Sequence, residues 1–194
     1  MHLKREISTS VSDLHLATVS DSIKRLKIAK DGIAVPMPLT IRKPTESSNL
    51  VHVMSSARDD FAQRYEIIRE VGKGGFSTVY QCRNRQTGAD YAVKVVDLRP
   101  LRLRERFNPQ RLKREVEIMS RLHHPNIIQF IEVYEDADHL MMVMEYCPGK
   151  ELFDVILARK YLQEEEAKPI FQQIALALFY LHSLNIIHRD IKPE

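Results

Sequence analysis

The stretch Tyr65-Glu66-Ile67-Ile68-Arg69-Glu70-Val71-Gly72-Lys73-Gly74-Gly75-Phe76-Ser77-Thr78-Val79 decides how this chain is read. Tyr65 to Val71 alternates in the manner of a strand, the glycines break it, and a second apolar run resumes at Ser77 and continues to Asn84. Outward from there, Gln86-Thr87-Gly88 reads as a turn into a third run, Asp90 to Asp97. Ile128 to Glu135 and His139 to Glu145 form another pair around Asp136-Ala137-Asp138. These five runs predict strands joined mostly as antiparallel hairpins. One helix interrupts them, with Asn108 as N-cap, Pro109 in the first turn and an end near Leu122. After Glu145 the period becomes helical. Glu164 to Ser183 carries Ile170, Phe171, Ile174, Leu178 and Leu181 on one face, with Pro169 tolerable only near the start. A strand-rich half followed by a helical half is an α+β layout with two lobes.

Composition limits the alternatives. The 194 residues are 44% hydrophobic and 28% charged, near the globular norm, which excludes a chain disordered throughout. Two cysteines, Cys82 and Cys147, cannot build a disulfide framework, so a reducing compartment, cytoplasmic or nuclear, is expected. The strongest apolar stretch, Ile174 to Leu181, falls far short of the ~18 residues a membrane span needs. A net charge of +3 is too small to indicate a nucleic-acid binder. It nevertheless hides an asymmetry. Seven basic residues between Arg99 and Arg114 face only Glu105, whereas twelve acids oppose six bases from Ile131 onward. The basic run is either a solvated helix face or a docking place for a phosphate.

Residues 1–63 read as a flexible extension. They hold scattered serines and threonines, Pro36, Pro38 and Pro44, and no aromatic before Phe61. Within Asp13 to Lys30 the residues Leu16, Val19, Ile23, Leu26 and Ala29 recur at helical spacing, so an amphipathic helix is the alternative to a flexible tail with a transient helix. No secretory signal core is visible, acids weaken a transit-peptide reading, and His2 stands where N-myristoylation needs glycine.

Three features could carry chemistry. The loop Gly72 to Val79 is either a plain hairpin turn or a backbone cradle for phosphate oxygens, with Val79 offering an apolar surface to a flat base. A dinucleotide fold is disfavoured, because that fingerprint requires a helix after the loop and here a strand follows. Lys94 lies inside the strand Tyr91 to Val96, where an inward charge is costly. Glu115 falls on the apolar face that Leu112, Val116 and Met119 mark on its helix. The two either pair with each other or snorkel separately. Lastly, His188-Arg189-Asp190-Ile191-Lys192-Pro193-Glu194 places Asp190 like a base at a lobe junction, or forms a solvated charged loop.

Gly-x-Gly with Val79, Ala92-Val93-Lys94, Glu115, His124-Pro125-Asn126, Glu151-Leu152-Phe153-Asp154 and His188-Arg189-Asp190 occur in the order of the eukaryotic protein kinase motifs. From Arg64 to Glu194 the chain resembles a serine/threonine kinase of the calcium/calmodulin-dependent kinase-like group. The resemblance implies a bilobal kinase-like fold, with a five-stranded small lobe and one helix over 64–145, then a hinge and the first large-lobe helices over 146–194. It implies that Val71, Gly72, Lys73, Gly74, Gly75, Phe76, Ser77, Thr78 and Val79 cover the phosphates of ATP. Lys94 would hold the α- and β-phosphates and pair with Glu115. Val79 and Ala92 would sandwich adenine, Met144 would be the gatekeeper, and Glu145 and Cys147 would offer hinge hydrogen bonds, with Glu151 beyond them. Asp190 would orient the substrate hydroxyl and take its proton, and Lys192 marks the serine/threonine type. Arg189 would bind an activation-loop phosphate, while Met119, Phe130 and His188 resemble three members of a hydrophobic spine.

Ser77 replaces the usual third glycine of the loop. The family's magnesium-binding asparagine and Asp-Phe-Gly are expected beyond Glu194, so residues 1–194 alone are expected to be inactive or nearly so, with apolar surface exposed on the last helix. Implied partners are ATP with Mg²⁺, a protein substrate with arginine upstream of Ser/Thr read by Glu151 and Glu194, and a regulatory protein. Arg5 to Ser8 and Arg42 to Thr45 match that pattern loosely. A non-catalytic binding isoform or pseudokinase-like scaffold is the alternative function.

Overall fold

The computed structural model describes residues 52–53, 57–105 and 107–193; the expected helix within 13–30, Arg106 and Glu194 lie outside them. Elements follow in the order β1 (His52–Val53), α1 (Ala57–Arg64), β2 (Tyr65–Lys73), β3 (Ser77–Asn84), β4 (Asp90–Asp97), α2 (Leu98–Arg102), α3 (Pro109–Arg121), β5 (Phe130–Glu135), β6 (His139–Glu145), α4 (Leu152–Arg159) and α5 (Glu164–Ser183). The strands form one sheet in the order β1-β5-β6-β4-β3-β2. Strands β2 to β6 pair antiparallel as the sequence predicts, and β1 adds a short parallel rung on β5.

Local chemistry sets the helix ends. Asn108 caps α3 by accepting from the Gln110 N–H at 2.9 Å, and Pro109 occupies the first turn, where no N–H is required. Asp97 does the same for α2, a short helix the periodicity does not reveal. The Arg99 guanidinium holds the Asp97 carboxyl down to about 2, so this cap survives throughout the ordinary carboxylate range and is lost only below it. At α5 a reciprocal Gln163–Glu166 capping box and three first-turn glutamates satisfy the helix N-terminus and its dipole. Pro169 sits in the second turn of that helix, a little further in than the first turn that best tolerates it.

The sheet has two covered faces. Ala92, Val96, Leu140, Met142 and Met144 turn toward α3, whose Val116 and Met119 complete that core. Val93, Met141, Val143 and Cys82 turn the other way. Alternation along β4 and β6 generates both sets at once, so β4 is buried on each side. A register shift at Ile131 lets Phe130 and Val133 share the α3 face although they are an odd number of residues apart.

Two expectations need correction. The reading of 1–63 as a flexible extension does not hold for its last residues, since α1 packs against the second face of the sheet. Phe61 is only 5% exposed there, stacked on Tyr65 at 5.3 Å and edge-on to Tyr134 at 5.7 Å. Arg64 and the Tyr65 hydroxyl both bond Glu132, tying α1 and β2 to β5. One aromatic and two alanines among charged and polar residues leave no periodic signal, so the helix is invisible without its partners. The second correction concerns α5. Its buried residues are Ala177 and Leu181, which meet Leu122 and Ile127, while Phe171 stays 71% exposed and Phe179 64%. The expected packing face therefore holds at Leu181, with Ile170, Ile174 and Leu178 half-buried, and fails at Phe171, while the expected apolar surface is present.

The two lobes meet through His124-Pro125-Asn126. His124 stacks on Tyr180 at 5.1 Å, the His123 N–H donates to the Tyr180 hydroxyl at 3.0 Å, and Asn126 donates to Gln173 at 3.1 Å. Among the described residues no helix is long and apolar enough to cross a membrane.

If α1 belongs to the folded unit, Phe61→Ala leaves a cavity against Tyr65 and Tyr134 and lowers unfolding free energy by about 3 kcal/mol in urea denaturation. A loss under about 1 kcal/mol would show that α1 is not held to the sheet.

Candidate active site

The glycine-rich turn joins β2 to β3. The Gly74 N–H donates to the Ser77 carbonyl at 2.7 Å, and the Phe76 carbonyl accepts from Asp97 at 3.0 Å, which ties the tip to the end of β4. A Cβ at Gly74 would stand 3.3 Å from Ser77 Oγ, whereas one at Gly72 or Gly75 would meet nothing within 4 Å. None of these three glycines has positive φ. Neither backbone conformation nor internal clearance therefore requires glycine at 72 or 75; open backbone there suits close approach by an outside group. Phe76 packs onto the core, and the Arg104 guanidinium lies 4.3 Å from its ring centroid, a cation–π contact.

Beneath the turn the sheet presents one composite face. Val79 stands opposite Lys94, and Lys94 opposite Met142; Ala92 stands opposite Met144. Directly opposed residues share a face. Val79, Ala92, Met144 and Cys147 accordingly belong to one apolar cluster, together with Met119 and Phe130. Lys94 sits in the middle of this face, 3% exposed. Glu115 is also 3% exposed, on the side of α3 that carries Val116 and Met119. The two opposite charges thus lie in the two layers that close over one core, as the sequence argument placed them. Glu145 is anchored to the neighbouring segment, its N–H donating to the Gln129 carbonyl at 2.9 Å. Glu151 occupies the N-cap position of α4 and is exposed.

A second group comes from the segment after α5. His188 is buried and its Nδ1 accepts the Asp190 N–H at 3.1 Å. Arg189 between them has φ of 66°, a strained value for a side-chain-bearing residue, and such strain concentrates where a neighbour must be aimed. Lys192 Nζ lies 3.4 Å from Asp190 Oδ2. The Pro193 carbonyl accepts from the Phe153 N–H at 2.9 Å, which docks this segment on the start of α4.

The basic run is partly used locally. Arg99 pairs with Asp97 at 2.7 Å, Lys113 with Glu135 at 3.7 Å, and Arg104 covers Phe76. Two residues beside the composite face, Arg69 and Tyr146, passed unnoticed in the sequence, because their meeting depends on a strand irregularity that leaves no mark in composition. Among the described residues no cluster of three or more His, Cys, Asp and Glu is placed to hold a metal ion.

A protein kinase domain model matches residues 65–194, and the chain belongs to the protein kinase family. Its relatives are of the serine/threonine type, in keeping with the calcium/calmodulin-dependent kinase-like group that the motifs resemble. It is 44% identical over 137 residues to calcium-dependent protein kinase 5 of Plasmodium berghei, covering 70% of this chain and 24% of that protein. It is 33% identical over 172 residues to the serine/threonine-protein kinase cds1 of Schizosaccharomyces pombe, covering 87% of this chain and 36% of the relative. That stretch is longer than residues 65–194, so similarity reaches into the N-terminal extension, which the motif reading left out. Among solved structures it is similar to the crystal structure of Rad53 1-466 in complex with AMP-PNP, with TM-score 0.60 and 35% identity over 69% of this chain and 34% of that one. The chain spans about a quarter of the length of the Plasmodium relative.

The two thiols differ sharply in environment. Burial, with a smaller contribution from Asp90, pushes the Cys82 thiol up to about 12, while Cys147 is half-buried at the edge of the composite face. Iodoacetamide at pH 8 is expected to alkylate Cys147 and spare Cys82, as read by peptide mass spectrometry. Comparable labelling of both would contradict the packing of the second sheet face.

Proposed function

We propose that residues 65–193 are the ATP-binding part of a serine/threonine kinase, which transfers the γ-phosphoryl group of ATP to a protein hydroxyl. The observation that carries this reading is the buried Lys94, set within an apolar face of Val79, Ala92 and Met144 under an open glycine turn. A flat base suits the apolar part, and an ammonium already desolvated among apolar neighbours binds phosphate oxygens far more strongly than one in water. Backbone groups of Val71 to Val79 would cover the phosphates, and Glu145 and Cys147 would meet the base edge. Glu115 would hold Lys94 in place.

In the transfer, the substrate hydroxyl oxygen attacks the γ-phosphorus, Asp190 orients that hydroxyl and accepts its proton, and ADP departs with the electrons of the broken bond. Lys192, beside Asp190, would offset charge on the moving phosphoryl group. Mg²⁺ neutralises developing charge in such reactions, and the resemblance places its ligands beyond Glu194. Residues 1–194 alone are accordingly proposed to bind ATP without transferring phosphate. The exposed Glu151 supports a preference for arginine upstream of the target Ser/Thr, a reading that a peptide array with the full-length protein tests. Acidic or proline-directed preference there would overturn it.

Nucleotide binding is measurable on the chain itself. ATP should raise its melting temperature and slow Cys147 alkylation, and Lys94→Met should abolish both effects while the fold is retained by circular dichroism. Absence of either effect in the unaltered chain would overturn the ATP-binding reading. Phosphorylation of a peptide by residues 1–194 would overturn the proposed need for further ligands.

A further inference from the structure

Strand β2 pairs irregularly with β3. Ile67 stands opposite Cys82 but Arg69 opposite Gln81, and Glu70 stands opposite Tyr80 but Gly72 opposite Val79. Ile68 and Val71 are the additional residues, each marking a β-bulge. A bulge changes the face that every following side chain occupies. Without Ile68 as an extra residue, Arg69 would stand opposite Tyr80, which packs with Cys82 on the far face of the sheet. With it, Arg69 shares the face of Gln81 and of Ala92, the residue opposite Gln81 on β4. The first bulge thus moves a guanidinium from one side of the sheet to the other.

On that side Arg69 reaches in two directions. Its Nε donates to Gln81 Oε1 at 2.9 Å, and its Nη2 donates to the Tyr146 hydroxyl at 2.8 Å. Gln81, buried, donates from Nε2 to Asp90 at 3.1 Å. Tyr146 follows β6 by one residue, and its ring packs on the same cluster as Ala92, Met144 and Cys147. A chain of bonds therefore runs from the strand that leads into the glycine turn to the segment that leaves the small lobe. Among the described residues β2 is an edge strand whose backbone ladder runs to β3 alone, and its two bulges weaken that ladder. A planar fork that bridges two acceptors at fixed geometry restores what the ladder lacks, and an ammonium could not do so in the same way.

We propose that Arg69, Gln81 and Tyr146 form a bracket that sets the height of the glycine turn over the base-binding face. They are positioning residues for the nucleotide, so this inference rests on the ATP-binding reading above. Tyr146 supplies two functions at once, an apolar ring that joins the face and a hydroxyl that anchors the strand roofing it.

The test uses the 194-residue chain, a fluorescent N-methylanthraniloyl ATP, and amide hydrogen exchange without nucleotide. Arg69→Lys and Tyr146→Phe should each weaken nucleotide binding about three- to tenfold. The double variant should bind no more weakly than the worse single variant, since both break one bracket. Exchange at the amides of 72–77 should quicken in both variants. Arg85→Ala, which removes a contact to Glu66 at the other end of β2, should leave affinity and loop exchange unchanged. Unaltered affinity in either bracket variant, additive losses in the double variant, or unaltered loop exchange would overturn the proposal. If the unaltered chain fails to bind the nucleotide, the ATP-binding reading falls and the bracket's role in nucleotide positioning falls with it. Loop exchange then still decides the mechanical bracket: quickening in both variants supports it, and no change refutes it.

Discussion

A charge buried in the central strand is the constraint on which the remainder of this structure depends. Lys94 lies on β4, a strand covered on both faces, and desolvating an ammonium there is costly unless the surroundings compensate it. Helix α3 brings the carboxylate of Glu115 to the same core from the opposite layer. Once those two positions are set, much else follows. The alternation that turns Lys94 toward α3 also turns Ala92 and Val96 that way and sends Val93 to the other face. The same pairing register puts Val79 and Met142 on either side of the lysine. A face suited to a base and an ammonium suited to phosphate thus arise from one strand and its neighbours.

The opposite face of the sheet explains why the folded unit starts before the kinase domain proper. Val93, Met141 and Val143 need cover as much as their neighbours do, and Phe61 from α1 supplies part of it. The Glu132 contacts of Arg64 and Tyr65 then secure the junction between α1 and β2. The lobes are joined by polar, aromatic and aliphatic side-chain contacts rather than by one continuous strand layer. The stacking of His124 on Tyr180 and the burial of Leu122 and Ile127 against Ala177 and Leu181 carry that junction. Beyond it α5 leaves Phe171 and Phe179 in solvent.

Legibility in the sequence tracks how local each signal is. The five antiparallel strands, the Asn108 cap and the span Glu164–Ser183 are properties of a few adjacent residues, so periodicity and capping chemistry reveal them. Lys94 and Glu115 are conspicuous because a charge on an apolar face stands out within a single element. Helix α1 depends on one phenylalanine finding two tyrosines, one of them more than seventy residues away, and no local pattern announces that. The packing face of α5 likewise depends on what the α3–β5 connection offers it, which is why Ala177 is buried while the larger Phe171 is not.

The amino-acid sequence by itself determined the five antiparallel strands, helices α3 and α5, the glycine turn between two strands, and the order of the kinase motifs, because each is written in nearest-neighbour chemistry and spacing. Tertiary structure alone decided which face each side chain occupies where the regular alternation breaks. The bulges at Ile68 and Val71 and the shift at Ile131 are invisible in composition, yet each reverses a set of orientations. They bring Arg69 to Tyr146 and let Phe130 join Met119 on the α3 side. The physical reason is that register is a property of two strands together, set by the packing of both faces at once.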